Sequence, residues 1–253
     1  MKIAIITGAS SGMGRDFVYA VEKEYAPDCI WLIARRRERL EEIAGQIKTP
    51  CEILPLDLQN NESIVKIKEK LDSEKPTVSV LVNASGFGKF GSFQGLDLDV
   101  QLDMIDLNDK ALVSMTYTVL PYMKKGSVIY QLCSLSSFQP VPYINVYGAT
   151  KAFVLSFSRA LNRELKTAGI RCMAVSPGWV KTEFFNRAVK DDTITYYNKF
   201  FTSEEVVKRA VRDMKKGKDV SVCGFSIRMQ VLATKLLPHR IVMNIWCKQQ
   251  KQP

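Results

Sequence analysis

Thr7-Gly8-Ala9-Ser10-Ser11-Gly12-Met13-Gly14 is the stretch that decides how this chain folds. The apolar run Ile3-Ala4-Ile5-Ile6 precedes it, and a segment of helical periodicity, residues 12–25, follows. The glycines fall as G-x-x-x-G-x-G. Gly8 permits a tight turn, Gly12 lets the backbone approach a pyrophosphate, and Gly14 lets helix pack closely on strand. Ser10, Ser11 and Met13 complete the loop. The helix start then offers unpaired N–H groups and the positive end of its dipole to phosphate. A glycine cluster alone is weak evidence; a strand before it and a helix after it supply the context.

Outward from this loop the alternation repeats. Apolar runs at residues 29–34, 52–57, 78–83, 127–133 and 170–176, and a short one at 220–223, read as strands. Residues 36–48, 62–73, 100–124, 146–167 and 203–216 read as helices. The strands are continuous apolar runs, the pattern of a parallel sheet buried on both faces. The expectation is an α/β protein: a single-domain Rossmann-type doubly wound parallel sheet with helices on both faces. Residues 1–223 form its core, and 224–253 a basic helical C-terminal extension. No internal repeat or linker divides the 253 residues.

Composition narrows the function. Hydrophobic residues make up 46% and charged residues 25%, as in an ordinary globular protein. No run approaches the ~18 apolar residues of a membrane span or the roughly 7 to 15 of a signal-peptide core, so a cytoplasmic protein is expected. None of the six cysteines forms a CxxC pair, which points to reduced thiols and no metal. The single histidine, His239, lies in a basic tail, so acid–base work falls to another side chain. The net charge of +10 is concentrated beyond Val206, where eleven Lys and Arg face only Asp213 and Asp219. That asymmetry suits an acidic substrate, a membrane surface or nucleic acid. No nucleic-acid motif accompanies it, so no nucleic-acid partner is expected.

The second strand ends at Ala34 and runs into Arg35-Arg36-Arg37. An acidic residue at this strand end bonds ribose hydroxyls in NAD sites, and none is present. An arginine fork suits a 2′-phosphate instead, so NADP(H) is expected, held by Arg35 first and Arg36 second. Further along, Tyr147 and Lys151 stand four apart and share one helix face. Ser134 precedes Tyr147 by thirteen residues and ends the fifth strand, where open α/β sheets bind ligands.

With these residues in place the chain resembles the short-chain dehydrogenase/reductase family over residues 1 to about 223, NADP-dependent hydroxysteroid dehydrogenases and 3-oxoacyl reductases among its members. The matching motifs are TGASSGMG at 7–14, Asp57-Leu58, NASG at 83–86, Asn108, Ser134, YGATK at 147–151 and PGWVKT at 177–182. The resemblance implies an enzyme that interconverts a carbonyl and an alcohol. Tyr147 would exchange the proton, with Lys151 lowering its pKa from ~10. Ser134 would hydrogen-bond the substrate oxygen, and Asn108 would hold a water linking Lys151 to solvent. Lys151 would also bond the nicotinamide ribose. Asp57 would meet the adenine amino group, with Leu58 beside it. Asn83 would brace the central strand at the cofactor. Pro177 and Gly178 would pass the nicotinamide, and Val180 and Thr182 would bond its carboxamide. Ala84 and Cys133 depart mildly from the family pattern, and the tail departs strongly.

The segment after Gly178, roughly residues 181–202, would cover the substrate. Its Phe184, Phe185, Tyr196, Tyr197, Phe200 and Phe201 suit a large apolar substrate such as a hydroxysteroid or bile acid, with a 3-oxoacyl compound as the alternative. Phe87, Phe90 and Phe93, and Phe138, Val141, Pro142 and Tyr143, are candidates for the other walls. In the tail, Pro238 separates two short basic amphipathic helices. These pack on the domain or a second copy, or touch a membrane. The resemblance implies a homodimer or homotetramer through residues 108–124 and 146–167. A catalytically silent nucleotide-binding protein on the same fold is the other reading; the full Asn108, Ser134, Tyr147 and Lys151 set argues against it.

Overall fold

The computed structural model describes residues 1–188 and 193–252. Strand β1 (Lys2–Thr7) leads to helix α1 (Gly12–Tyr25), then β2 (Cys29–Ala34), α2 (Arg37–Ala44), β3 (Cys51–Pro55), α3 (Asn61–Glu74) and β4 (Thr77–Asn83). Next come α4 (Leu98–Ile105), α5 (Ala111–Val119), β5 (Met123–Leu132), α6 (Asn145–Glu164) and β6 (Arg171–Val175). A small outlying pair, β7 (Trp179–Lys181) and β8 (Phe200–Thr202), flanks α7 (Phe184–Ala188). The chain closes with α8 (Ser203–Lys215), β9 (Val220–Ser221), α9 (Phe225–Leu236) and α10 (His239–Gln249).

The main sheet runs β3-β2-β1-β4-β5-β6-β9, and every neighbouring pair is parallel. The order reverses between β1 and β4, which opens a crevice at the carboxyl ends of those strands. This is a Rossmann-type α/β fold. Both sheet faces are buried, as the continuous apolar strands require. Ile6, Leu32, Val82 and Tyr130 pack on one side with Phe17 of α1 and Val207 of α8. Ile5, Trp31, Leu81 and Ile129 pack on the other with Leu71 of α3 and Met115 of α5.

The helix expected over 100–124 is broken instead. Asp97 caps α4 by accepting from the Asp99 N–H at 2.8 Å. A single π-helical turn, Asp106–Lys110, then separates α4 from α5. Pro121 sits in a short 3₁₀ turn and lacks the N–H that would carry the helix on, so β5 starts at Met123 rather than 127. The pair β7 and β8 also escaped sequence reading, because three-residue strands carry no periodicity. Within the expected substrate cover, residues 189–192 lie outside the described residues.

Candidate active site

Gly8 and Gly12 both hold positive φ, +65° and +52°. A Cβ on Gly8 would stand 2.7 Å from the Ala84 carbonyl, and one on Gly14 would stand 2.1 Å from Gly8 O. The loop is therefore folded against β4 as well as against α1, which leaves its outer face open. That face forms one wall of a cleft of about 370 Å³. The cleft takes in residues 10–14, Arg35, Arg36, Asp57 and Leu58, and reaches Tyr147, Lys151 and Thr182. Arg36 donates to Ser10 Oγ at 3.2 Å and pairs with Glu183 at 3.0 Å. Arg35 lies 3.8 Å from the Asp57 carboxylate. Both arginines stand where a 2′-phosphate can exchange for these exposed carboxylates, and Arg36 is the one bonded to the phosphate loop. An open α1 N-terminus, close-packed glycines and two arginines at the β2 end fit a phosphorylated dinucleotide.

Asn83 does not line the cleft, although it braces the central strand beside it. It is buried behind the cleft, donating to Thr116 Oγ1 at 3.0 Å and to Gln131 Oε1 at 2.9 Å, so it ties β4 to β5 and α5. Pro177, Gly178 and Val180 line a second, adjoining chamber of about 130 Å³ rather than the cleft. Ser134 lines that chamber too. Tyr147, with Met13, Cys133, Thr182 and Phe184, borders both spaces and so stands at their junction.

Burial holds the Tyr147 phenol above its ordinary pKa, and a hydrogen bond with the Ser134 hydroxyl pulls the other way. The expected lowering by Lys151 is absent from this arrangement. Lys151 Nζ sits 5.7 Å from the Tyr147 ring centre and donates to Leu132 O at 2.9 Å. Burial lowers the lysine's own pKa. Asn108 occupies the π turn. Its Nδ2 donates to Phe87 O at 2.9 Å and Thr150 Oγ1 at 3.1 Å, and its Oδ1 accepts from Phe87 N at 3.0 Å. The side-chain donors are thus fully used, which leaves the side chain only the spare Oδ1 lone pair for a water. A Cβ on Gly86 would lie 2.8 Å from Asn108 Oδ1 and 3.5 Å from Lys151 Nζ, so a glycine is required between them.

Two residues beside this group were given no role there by the sequence, Cys133 having been noted only as a departure from the family pattern. Cys133 donates from Sγ to Lys151 O at 3.1 Å, binding β5 to α6. Asp109, next to Asn108, has its pKa pushed up to about 7, chiefly by burial, with Lys151 lowering it. No hydrogen-bond partner reaches Asp109 Oδ1 among the described residues. Neither residue belongs to a spacing pattern, and only the fold brings them to Lys151.

The chamber is aromatic. Phe90, Tyr147 and Phe184 form a cluster with ring centres 5.6 to 6.2 Å apart. Phe185 and Tyr196 also line it, as do Val141 and, unforeseen, Trp179. Other expected wall residues lie elsewhere. Phe201 is buried in the main core, Phe93 is exposed, and Phe138 packs under the Lys235 ammonium. Phe87 borders the cofactor cleft rather than the chamber. The tail closes the chamber: Gln230 of α9 and Trp246 and Gln249 of α10 line it. Trp246 donates to Pro142 O at 3.0 Å and stacks on Trp179 at 6.5 Å. Gln250 accepts from the Thr195 and Tyr196 N–H groups, both at 2.9 Å, pinning the segment before β8. Among the described residues the chamber lining carries no charged side chain.

Comparison with known proteins agrees with this geometry. The short chain dehydrogenase family model matches residues 2–193. Sulfoacetaldehyde reductase 2 of Chromohalobacter salexigens is 36% identical over 191 residues, covering 72% of this chain and 74% of that protein. The NADP-dependent 3-hydroxy acid dehydrogenase of Escherichia coli is 34% identical over 222 residues, covering 83% and 87%. A short-chain dehydrogenase from Sphingobium yanoikuyae, solved with NADPH, superposes with a TM-score of 0.79 at 27% identity, covering 93% and 94%. The chain therefore belongs to the short chain dehydrogenase family and is an oxidoreductase of alcohol and carbonyl groups.

Proposed function

We propose that this enzyme interconverts a ketone and a secondary alcohol on a bulky, neutral, apolar substrate. Neutral hydroxysteroid skeletons rank first and 3-oxoacyl compounds second; a bile acid fits this reading only with its carboxylate left outside the chamber. The observation that carries this reading is the place of Tyr147. It borders the dinucleotide cleft on one side and an aromatic, uncharged chamber on the other. The cofactor is NADP(H), in line with Arg35 and Arg36 at the cleft and with the NADP-dependent relatives. When bound it supplies or accepts the hydride. Tyr147 Oη gives its proton to the carbonyl oxygen during reduction and takes it back during oxidation, while the Ser134 hydroxyl bonds that oxygen and fixes its direction. Lys151, reached past Gly86 and Asn108, replaces the proton.

At about 130 Å³ the chamber is small for a steroid, and Phe184, Phe185 and Tyr196 are among its walls. A four-ring substrate requires those side chains to swing outward. A second reading takes an anionic hydroxy acid or sulfonate, as named for the relatives. The uncharged lining of the described chamber favours the neutral class, since a buried carboxylate needs a cationic partner. The test is NADPH oxidation at 340 nm against ketosteroids, 3-oxoacyl thioesters, 3-oxo acids and sulfoacetaldehyde. Turnover of neutral ketones supports the reading; turnover confined to the anions overturns it.

The chain acts as one domain in this reading, since the tail helps to form the substrate wall. Exposed Leu98, Leu102 and Ile105 on α4, Tyr117 on α5 and Phe153 on α6 support a homodimer or homotetramer through these helices. All six cysteines are free thiols, in keeping with a reducing, cytoplasmic setting. No helix among the described residues is long and apolar enough to cross a membrane.

A further inference from the structure

The tail spends only one side of each helix on the domain. Ile227, Val231 and Thr234 of α9 and Val242 of α10 are buried. The opposite positions are apolar as well, and they are open. Phe225, Met229, Leu232 and Leu236 recur at i, i+4, i+7 and i+11 and make one exposed stripe on α9. Leu237, Ile241 and Ile245 continue the pattern at four-residue intervals through α10. Phe225 is 72% and Leu236 75% exposed, values out of keeping with a finished surface. The charge along the tail itself is of one sign. From Gly224 onward the chain holds Arg228, Lys235, Arg240, Lys248 and Lys251 and no Asp or Glu. Arg240 and Lys248 have no acidic partner among the described residues.

We propose that these two tail helices seat the enzyme on an anionic lipid surface, with the apolar stripe in the interface and the cations against the headgroups. An apolar stripe with cation-only flanks is the pattern that binds anionic bilayers peripherally. A second copy is a poorer occupant, because two like-charged tails would be brought together with no carboxylate on either to offset them. The two helices that carry the stripe also help to wall the chamber. Gln230, Trp246 and Gln249, on the same two helices, line the chamber, and exposed Tyr196 stands beside Gln250 at its edge. A lipid-dissolved ketone would reach Tyr147 from the surface on which the tail sits; this last step rests on the neutral-substrate reading above, and the docking itself does not.

The test is sedimentation of the full chain with phosphatidylcholine vesicles, with and without added phosphatidylglycerol. It is repeated at raised salt and with the L236E/I241E double variant. Binding should require phosphatidylglycerol, fall with salt, and drop about tenfold in the variant. The variant should still turn over a small water-soluble ketone with NADPH, because both positions lie outside the cleft and chamber; that activity reports on the functional reading independently of docking. Absence of wild-type sedimentation with either vesicle overturns the proposal. So does a concentration-dependent self-association, by light scattering, that the variant abolishes, for the stripe would then be an interface between copies.

Discussion

At Tyr147 burial and hydrogen bonding act in opposite directions, and burial prevails. The phenol is therefore protonated across the neutral range and ready to donate. Reduction should be nearly flat from about pH 6 to 8, whereas oxidation, which needs the phenolate, should rise with pH; initial rates in both directions check this. Asp109 offers a separate pH test. Its folded pKa of about 7 lies above the ordinary carboxylate value of 3.8, so the folded state holds its proton more tightly. The associated stability is full below the unfolded pKa and is lost as pH rises through about 7. Asp109→Asn should therefore stabilise the protein by about 1–2 kcal/mol at pH 8, discounted for partial exposure, with the gain shrinking as pH falls below about 7 and vanishing only toward about pH 3 in urea unfolding. Tyr147, Lys151 and Ser134 were legible in the sequence because chemistry fixes their types and spacing. Asp109 and Cys133 were not, since each gains its meaning from a neighbour more than fifteen residues away in the chain.

Among the elements, the β1–α1 loop was the most legible, because only glycine satisfies its close contacts. Gly14→Ala would drive a Cβ into Gly8 O at 2.1 Å. Loss of NADPH binding by more than tenfold, with destabilisation of about 2 kcal/mol or more, is expected in calorimetry and thermal melts. The sheet was read correctly because each strand is a continuous apolar run. The break in the 98–119 region was missed because a π turn keeps the same residue types as the α-helices around it. Aromatic content alone likewise could not say which phenylalanines line the chamber; Phe184 and Phe185 do, whereas Phe201 belongs to the core. Trp246 is the clearest contribution of α10, through its bond to Pro142 and its stack on Trp179. Trp246→Ala should raise KM for the substrate about tenfold and leave kcat within about threefold, because it removes a wall and no reacting group.

For the whole molecule, the tail is where sequence reading left most open, since a basic amphipathic helix can face a domain, a copy or a membrane. The fold assigns one side of it to the substrate chamber. Ending the chain at Gly224 would strip Ile227, Val231 and Val242 from the packed interior, at about 2 kcal/mol each. Such a form should melt several degrees lower and lose turnover while its phosphate loop stays intact, which thermal melts and NADPH titration would show. The account as a whole stands on Tyr147 as the acid at the meeting of cofactor cleft and chamber. The most direct measurement sets wild type beside Tyr147→Phe, with NADPH affinity by calorimetry and ketone reduction at 340 nm. Unchanged NADPH affinity with turnover reduced by about 10²–10⁴ is the predicted result. Turnover by the phenylalanine variant at the wild-type rate would contradict it and move the proton donor to another group.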